Sequence, residues 1–535
     1  MTHHSRLLAF ATLLGTLTAT PTLAQQKLPP DTGVMRKRTT YEDLQMFSQV
    51  LNQIRVNHPD SVDSHKLLMA AIQGMVHAAD PHSFVIPVVR LSPAREQALK
   101  DGKLFPIPVE FEYHSGAPIV LAVAPGTAAA HQDILPGDQL VAIDGKPVTA
   151  ESAMELGALL SGDKGSSATL SLERMRSDGT IAKLDRSVKR EKADEATAVP
   201  AVFMLDPAAG TGYVRITSFM NEKVADDLHS ALGTLEGKGM KQLVLDLRDN
   251  GGGSVTEAAH VAGEFLPKGS IVYTSEGRKA ADTDTGRVSR SFWRSERHYP
   301  IVLLVNSGTA SASELVAGAL QDHDRALIVG HTTFGKSLLM RGFPMADGSI
   351  IELVVGHVRT PCGRIIQRQY HGVSLHDYYR LAGADRDTVN RPSCKTDGGR
   401  TVYGGGGIYP DMKLPDAPEA PGWLARASED DLVIKWTGAW VTANAASLTS
   451  LDAFAASPML PAAATSEFRV YALKDGVTIP IDAESDAMLQ RVLARAVAAT
   501  KFGDAGYYRI SAVTSPEVAT ARGAFGKAQS ILATR

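Results

Sequence analysis

The stretch LVLDLRDNGGG at residues 243–253 decides how the central part of this 535-residue chain is expected to fold. Residues 242–247 form a short apolar run, typical of a buried strand, and a helix is predicted from about Thr256. The glycines between them allow a positive φ and a close approach to a ligand, so N–H groups at this turn can face an oxyanion or a phosphate. A plain strand-to-helix turn is the simpler interpretation. The Gly-Lys-Ser/Thr of a phosphate loop is missing.

Strands and helices alternate around this stretch from about Ala198 onward. The pattern predicts five further elements, strands at residues 212–216, 301–305 and 326–329 and helices at 222–235 and 313–320. Apolar strands that alternate with helices indicate a layered α/β core with a largely buried sheet. We assign this core to residues 193–417, with a polar, loop-rich insertion at 365–407.

Three further segments flank the core. Residues 25–99 show the three- and four-residue apolar spacing of helices, and residues 100–192 have the strand pattern of a small β-rich unit. Residues 418–535 are alanine-rich and predicted to be mostly helical, without a motif that carries chemistry. The expected fold class is an α/β core with an inserted β-rich domain, an N-terminal helical segment and a helical C-terminal extension.

The composition excludes several classes of protein. Apolar residues make up 44% and charged residues 21%, which are ordinary values for a globular chain. The net charge is −3, without the basic excess that gathers phosphate backbones, so nucleic acid is not expected as a partner. Two cysteines in the whole chain exclude a disulfide-rich scaffold and a multi-cysteine metal site. No cofactor and no metal are expected.

The N-terminus has the pattern of an export signal. Arg6 precedes a mostly apolar run at residues 7–17, and small residues at 22–24 offer a cleavage site, so residues 1–24 are assigned to a signal peptide. A short uncleaved anchor is the alternative, although the apolar run is at the short end for a membrane span. We expect a secreted or periplasmic protein with no stable membrane span after signal cleavage.

Two segments after the glycine motif carry chemistry. In TASASE, residues 309–314, small residues flank Ser311 between a strand and a helix start, so its hydroxyl is accessible and close to helix N–H groups. In GHTTFGK, residues 330–336, Lys336 follows a glycine turn. Taken one at a time, the serine has the pattern of a helix N-cap and the lysine that of a surface residue.

The order of the motifs resembles that of a known family. The run GTAAAHQDILPGDQLVAIDGKPV, residues 126–148, resembles part of a PDZ domain. Together with AIQGMVHAADPHSF, LVLDLRDNGGG, SASELVAGALQDHDRALIVG, TFGK and GIYPD, it follows the order of the carboxy-terminal processing peptidases, or tail-specific proteases. The resemblance covers roughly residues 40–415. It implies a serine peptidase with a Ser–Lys dyad and a PDZ domain.

The resemblance carries roles to individual residues of this chain. It places Ser311 at the nucleophile and Lys336 at the general base. A serine hydroxyl needs a neighbouring base to take its proton, and a lysine can do so only when neutral, with its pKa lowered from about 10.4. Oxyanion or supporting roles fall on five other residues: the N–H groups of Gly253, Gly252 and Ala312, and the carboxylates of Asp322 and Glu314.

The chain departs from the family pattern at two places. Met340 stands where the family usually has a glutamine that can orient the lysine, so lysine positioning must come from elsewhere. In the PDZ-like unit, the loop that usually donates N–H groups to a peptide C-terminus is LFPIP, residues 104–108, where two prolines remove two donors. Leu104, Phe105 and Val109 are the predicted peptide-binding residues.

The predicted function is an exported serine endopeptidase that cuts unfolded or tagged proteins near their C-termini, with protein or peptide substrates as partners. The alternative is a family member that has lost turnover and retains peptide binding. A β-lactamase-like enzyme is not favoured, because Ser-x-x-Lys occurs only at 161–164, in a loop of the PDZ-like unit, and no His-Glu-x-x-His is present. The 16 histidines leave a Ser-His-Asp triad open, although none has a context that ties it to Ser311.

Two features outside the dyad remain open. Cys362 and Cys394 are the only cysteines, and in an exported protein such a pair is a candidate disulfide; two unpaired buried cysteines are the alternative. The extension at 418–535 can serve as an oligomer or adaptor contact or as a cap over the core, and the sequence does not discriminate between these roles.

Overall fold

The structure is a computed structural model that describes most of the chain. The described residues are 38–86, 92–112, 118–123, 127–132, 134, 138–150, 153–175, 181–191, 197–289, 297–346, 349–371, 373, 378, 391–415, 421–429 and 432–534. The predicted signal peptide, residues 1–24, lies outside them. Within the described ranges, no helix combines the length and the apolar character that crossing a membrane requires.

Helices open the described chain, as predicted for the N-terminal segment. Helix α1 spans Thr40–Asn57 and begins with a capping box, and helix α2 spans Ser64–Ala79. The chain divides into two compact units after Leu68, within α2. A turn after α2 leads to the short strand β1, Phe84–Ile86, and helix α3 spans Pro93–Lys100.

The β-rich unit is an antiparallel sheet with one helix. Its elements are β2 (Val109–Glu112), β3 (Ile119–Val123), β4 (Gln139–Ile143), β5 (Lys146–Pro147), α4 (Ala153–Leu160), β6 (Ser167–Met175) and β7 (Ile181–Lys189). The strands are ordered β2-β3-β4-β6-β7, with β5 paired to β4. Leu140, Leu156 and Leu170 are almost fully buried and form its core. Strand β2 lies at one end of this order.

The α/β core follows along the chain. Its elements are β8 (Ala201–Asp206), β9 (Thr211–Arg215), α5 (Val224–Gly237), β10 (Gln242–Asp246), α6 (Val255–Ala262), β11 (Ile271–Gly277), β12 (Asp284–Arg287), β13 (Ile301–Val305), α7 (Ala312–Asp322), β14 (Leu327–Gly330), β15 (Leu338–Pro344), β16 (Ile350–Arg359), β17 (Ser393–Lys395), β18 (Thr401–Tyr403) and β19 (Met412–Lys413). The predicted alternation of strands and helices is confirmed.

Six of these strands form the central sheet, in the order β19-β14-β13-β10-β9-β8. Every neighbouring pair is parallel except β8 with β9. All of β13 and most of β10 are buried, as their continuous apolar runs predict. Helices α5, α6 and α7 cover one face, where Leu228, Val261 and Val316 join a cluster with Leu245 and Leu303.

A second sheet has the strand order β1-β16-β11-β12, with β15 paired to β16. This sheet was not predicted from the sequence. All its pairs are antiparallel. The hydroxyl of Ser83, in the turn after α2, accepts the N–H of Val354 at 2.9 Å and so joins this turn to β16. Because β15 begins two residues after Lys336, this sheet anchors the lysine segment.

The C-terminal extension is helical, as predicted. It contains α8 (Gly422–Glu429), α9 (Leu432–Ala443), α10 (Leu451–Ala456), α11 (Ala462–Lys474), α12 (Ala483–Val513), α13 (Pro516–Arg522) and α14 (Phe525–Leu532). Helix α12 is broken at Gly503, where φ is 65°. Its first half packs with α8, α9 and α11 around Trp436 and Phe468.

The last helices complete the core. Residues of α13 and α14, among them Ala521 and Phe525, pack against Phe203, Val244 and Leu304 on the face of the central sheet opposite α5–α7. The core therefore has three layers, helix, sheet and helix. The last helices of the extension therefore cover one face of the core, as a cap would, while an oligomer or adaptor contact through the extension stays a prediction.

The insertion is held to the core near the end of α7. The structure joins Cys362 and Cys394 by a disulfide whose Cα atoms are 6.0 Å apart, within the usual range. Cys394 lies in β17, which pairs with β18. The N–H of Cys362 donates to Oδ2 of Asp322 at 3.1 Å, so the disulfide connects a short hairpin to the end of α7.

We predict that this disulfide forms in the exported protein. Alkylation of the unreduced, denatured protein followed by mass spectrometry should find no free thiol, whereas the reduced control should take up two labels. Replacing both cysteines by serine should lower the free energy of unfolding by about 3–4 kcal/mol on chain-entropy grounds. Two alkylated thiols without prior reduction would contradict the prediction.

Candidate active site

Three loops meet at one edge of the central sheet. We call residues 247–254 the glycine loop, 306–311 the serine loop and 331–337 the lysine loop; they follow β10, β13 and β14. The carboxyl ends of parallel strands lie side by side, so residues distant in the chain come together there. The hydroxyl of Thr309 donates to the carbonyl of Leu247 at 2.8 Å, and the N–H of Phe334 donates to the carbonyl of Thr309 at 2.9 Å. The three loops form one connected site.

Ser311 occupies the N-cap position of α7 in a strained conformation. Its φ is 56° and its ψ is −120°, whereas an ordinary N-cap has extended backbone. A non-glycine residue in such a region costs about 1–3 kcal/mol, and strain of this kind concentrates at functional sites. Ala310 and Ala312 on either side are buried, while Ser311 is partly exposed. The backbone therefore presents this serine at the surface of the site.

Gly252 lies directly against the serine loop. Its φ is 99°, and a Cβ atom there would lie 2.8 Å from both the amide nitrogen of Ala312 and Cβ of Ser311. Gly253, with φ 143°, would place a Cβ only 2.3 Å from the carbonyl carbon of Phe219. Glycine is required at both positions, because a side chain at 252 would meet the serine loop and the start of α7, and one at 253 would meet the backbone of Phe219 and Met220.

The glycine loop and α7 offer N–H groups beside Ser311. The N–H of Gly252 donates to Oδ1 of Asn250 at 3.0 Å and is already used. Within the part of the chain that the structure describes, no acceptor bonds the N–H of Gly253 or that of Ala312, the first residue of α7. Of the three predicted oxyanion donors, the structure therefore leaves two with their hydrogens available.

A single buried carboxylate joins the serine loop to the lysine loop. Oε2 of Glu314 accepts the N–H of Ser311 and the N–H of Lys336, both at 2.9 Å. Oε1 of the same group accepts the N–H of Gly335 at 2.7 Å and the hydroxyl of Thr333 at 2.5 Å. The amide nitrogens of Ser311 and Lys336 are therefore no farther apart than twice 2.9 Å. The structure brings the two predicted dyad residues together through their backbones.

The four contacts of Glu314 require an ionised carboxylate. Burial raises the pKa of Glu314, and the hydroxyl and three N–H donors oppose that rise without cancelling it. A protonated carboxyl has one fewer acceptor site and an extra donor, which would face groups that are themselves donors. Protonation in acid is therefore expected to loosen the connection between the two loops.

Gln367 supports the lysine loop in a chain where Met340 replaces the expected glutamine. Its Oε1 accepts the N–H of Ser337 at 2.8 Å, and its Nε2 donates to the hydroxyl of Tyr378 at 2.9 Å. Met340 lies in β15, opposite Val354 of β16. The backbone next to the lysine is thus held by a glutamine from a different part of the chain.

Arg368 completes this support. Its N–H donates to the carbonyl of Gly335 at 2.9 Å. Its guanidinium lies 4.1 Å from the ring centroid of Phe334 and 4.2 Å from that of Tyr378, close enough for cation–π attraction to both rings. The peptide group before Lys336 is therefore bonded to Arg368 through its carbonyl and to Glu314 through its N–H, and the N–H of Ser337 after it is bonded to Gln367.

Asp322, predicted as a supporting residue, lies at the opposite end of α7 from Ser311. It forms an ion pair with Arg364 at 2.6 Å, and both side chains are 1% exposed. It also accepts the N–H of Cys362. In this position it holds the insertion to the core and does not reach the serine.

The predicted peptide-binding residues belong to the β-rich unit. The N–H of Phe105 donates to the carbonyl of Gly162 at 2.8 Å, and the carbonyl of Phe105 accepts the N–H of Gly162 at 3.0 Å. Leu104 is partly buried, and Val109 is 7% exposed within the core of the unit. The backbone of Phe105 is already paired, so its N–H is not available to a peptide carboxylate. Strand β2 stands at the end of the sheet order, so one of its two edges faces away from β3.

The sequence predicted only one of the residues that position the loops. Glu314 was predicted as a supporting residue, whereas Gln367 and Arg368 were not singled out. Their partners are backbone groups of distant loops, which no local pattern reports. The one signal that points to Glu314 is a carboxylate in a run of small residues, where full burial without a countercharge demands several donors.

Comparison with known proteins agrees with this site. Residues 210–376, which contain all three loops, match Peptidase family S41, and residues 119–174 match a PDZ domain, which confirms the predicted PDZ-like unit. The carboxy-terminal-processing protease of Bartonella bacilliformis is 32% identical over 336 residues, 62% of this chain and 74% of the relative. The carboxy-terminal processing protease CtpA of Bacillus subtilis is 30% identical over 354 residues, 64% of this chain and 71% of the relative.

Among solved structures, the photosystem II D1 C-terminal processing protease matches 72% of this chain and 91% of its own, with a TM-score of 0.44 and 25% identity. The sequence matches alone are sufficient for the assignment, since two relatives at 30% identity or more are covered over more than two thirds of their length. The chain belongs to the carboxy-terminal-processing proteases of peptidase family S41 and is a serine-type peptidase.

Proposed function

We propose that the chain is an exported endopeptidase that cleaves unfolded or tagged proteins near their C-termini, with Ser311 as nucleophile and Lys336 as general base. The observation that carries this proposal is the shared Oε2 of Glu314, which accepts both their N–H groups at 2.9 Å. The proposed nucleophile and the proposed base are thereby bonded through their backbones to one buried atom. The strained φ of 56° at Ser311 and the N–H groups beside it support the same assignment.

The chemistry runs in two half-reactions. Neutral Lys336 takes the proton of Ser311 as Oγ attacks the scissile carbonyl, and the tetrahedral intermediate collapses to an acyl-serine as the amine leaves with a proton from the lysine. A water molecule, deprotonated by the lysine, then attacks the ester and restores the serine. The same base serves both steps, so no third side chain is needed to transfer protons.

The developing oxyanion is bound by the N–H groups of Gly253 and Ala312. Ala312 directly follows Ser311 and its N–H is at the positive end of α7, and Gly253 follows Gly252, which lies against the serine loop. Each such donor contributes on the order of 10²–10³ in rate, because it is already oriented when charge develops on the oxygen. The role of Gly252 in this scheme is steric, since its lack of a Cβ lets the glycine loop approach α7.

The PDZ domain is proposed to hold substrate by strand addition along β2. Strand β2 pairs with β3 on one side and stands at the end of the sheet order, so its other edge can pair with an extended peptide. Capture of a free C-terminal carboxylate is weak in this scheme. Pro106 and Pro108 lack N–H groups, and the N–H of Phe105 is bonded to Gly162.

Export is supported by the N-terminal sequence pattern and by the Cys362–Cys394 disulfide, because such bonds persist in oxidising compartments. A non-catalytic peptide-binding role was motivated by Met340. The contact from Gln367 to the N–H of Ser337 weakens that alternative, since the lysine loop retains a positioning glutamine. Catalysis is therefore the function that the site supports best.

We predict that Ser311→Ala and Lys336→Ala each lower hydrolysis of an unfolded reporter at least about 10³-fold, because nucleophile and base act as a unit. Thermal unfolding should show that both variants are folded. Mass spectrometry of wild-type products should place the early cuts near the C-terminus, and a C-terminally amidated reporter should be cut at a similar rate. Wild-type turnover by the Lys336 variant would show that another base acts.

We predict that Glu314→Gln lowers kcat/KM about 10²-fold, since a misplacement of about 1 Å in a catalytic group can have that effect. An amide has one acceptor oxygen, so it leaves either Ser311 and Lys336 or Gly335 and Thr333 facing an NH₂ group. The matched control is Glu257→Gln, a buried glutamate in the first turn of α6 that accepts the N–H of Ala225 at 3.0 Å. Equal activity losses in the two variants at equal stability would contradict a special role for Glu314.

A further inference from the structure

Helix α13 of the C-terminal extension begins at the edge of the sheet that carries the proposed active site. It begins after Ser515, whose hydroxyl accepts the N–H of Val518, and Glu517 lies in its first turn. This part of the chain lies outside the residues that match Peptidase family S41 or the PDZ domain. Its contacts with the site are therefore a property of this chain and are not implied by those matches.

We propose that Glu517 is a positioning residue that holds the glycine loop and the lysine loop at the separation that catalysis needs. The proposal rests on the proposed function of those loops. Oε2 of Glu517 accepts a hydrogen bond from Nη1 of Arg248, the second residue of the glycine loop. The same guanidinium nitrogen donates to the hydroxyl of Ser515 at 3.3 Å, so two residues at the start of α13 bind one arginine.

The second oxygen of Glu517 faces the lysine loop. Nε2 of His331, the first residue of that loop, lies 3.8 Å from Oε1 of Glu517, within ion-pair range when the imidazole is protonated. One carboxylate of the extension therefore contacts both loops that flank Ser311. Glu314 joins the serine loop to the lysine loop from inside the core, and Glu517 joins the glycine loop to the lysine loop from the start of α13.

The charges around Arg248 explain why a second carboxylate is needed. Asp246 is fully buried and binds Arg248 through Nε and Nη2, and it also lies 3.3 Å from Nη1 of Arg215. Two guanidinium groups thus share one buried carboxylate. Burial favours a lower pKa for Arg248, and the charges of Asp246 and Glu517 outweigh it, so its pKa is raised. Without Glu517, Arg248 loses one of the two carboxylates that bind its side chain.

A movement of Arg248 would reach the oxyanion donors through the backbone. The carbonyl of Arg248 accepts Nη2 of Arg215 at 2.9 Å, and the guanidinium of Arg215 lies 5.7 Å from the ring centroid of Tyr508 in α12. Two residues further along, the carbonyl of Asn250 accepts the N–H of Ala310 at 3.0 Å. The extension therefore supports the start of the glycine loop at two points, through Glu517 and through Tyr508.

The test compares four full-length variants with the wild-type protein: Glu517→Ala, Glu517→Gln, Glu467→Ala and Glu467→Gln. Glu467 is an exposed glutamate of α11 and serves as the matched control. We expect Glu517→Ala to lower kcat about tenfold with KM within about twofold, which is the loss that one charged hydrogen bond of about 1.4 kcal/mol represents. Glu517→Gln, which keeps an acceptor, should lie between it and the wild type.

Hydrogen exchange supplies a readout that does not depend on turnover. Peptides covering 247–254 and 331–337 should exchange faster in both Glu517 variants than in the Glu467 controls, while those of β13 should not change. Unchanged exchange in either loop would overturn the proposal, as would a kcat equal to that of the control. If the wild type itself fails to cleave while both loops respond, the proposed function fails and the positioning of the loops by Glu517 stands. If Glu517→Ala does not fold, Glu517→Gln decides by the same two measurements.

Discussion

Oε2 of Glu314 accepts the amide hydrogens of Ser311 and Lys336 at 2.9 Å each, in a position that solvent does not reach. The remaining geometry of the site depends on this contact. Burial of a carboxylate is costly, and here four donors, three from the lysine loop and one from Ser311 at the helix start, offset part of that cost. The loops therefore cannot separate without leaving a buried charge unsatisfied, which keeps the proposed nucleophile and base at fixed spacing.

The layered core explains why such a contact can exist. Parallel strands β10, β13 and β14 bring their loops to one edge, and helices pack on both faces of the sheet. The C-terminal extension supplies the second helical layer. Helices α13 and α14 cover one face of the sheet, and this position brings Glu517 of α13 to Arg248 of the glycine loop. The last two helices of the extension are therefore a layer of the peptidase core.

Much of this architecture could be predicted from the sequence. Strand β13 was predicted with its observed bounds, 301–305, because five consecutive apolar residues bounded by polar turns have few other structures available. The turn after β10 and the accessible position of Ser311 were expected from their small neighbours, whereas the roles proposed for them came from the order of the motifs, because each motif alone also fits a plain turn or an N-cap. The second sheet was missed: its strands are only partly buried, so β15 and β16 lack the apolar runs that mark β13.

The positioning contacts could not be predicted for a different reason. Gln367 and Glu517 act on backbone or side-chain groups that the fold brings to them from far along the chain, and nothing beside them in the sequence records those partners. Met340 illustrates which contacts the sequence alone does not show. The sequence indicated that the usual glutamine was missing, and only the fold showed a glutamine from the insertion bonded beside Lys336.

The central claim is that Ser311 is a nucleophile activated by Lys336. Its most direct test is the rate at which a fluorophosphonate reagent modifies the full-length protein across pH, with the modified residue identified by peptide mass spectrometry. The account predicts a single adduct on Ser311, formed faster as pH rises and the lysine loses its proton, and formed far more slowly in Lys336→Arg. An adduct on another serine, or a rate on Ser311 that is independent of both pH and residue 336, would contradict it.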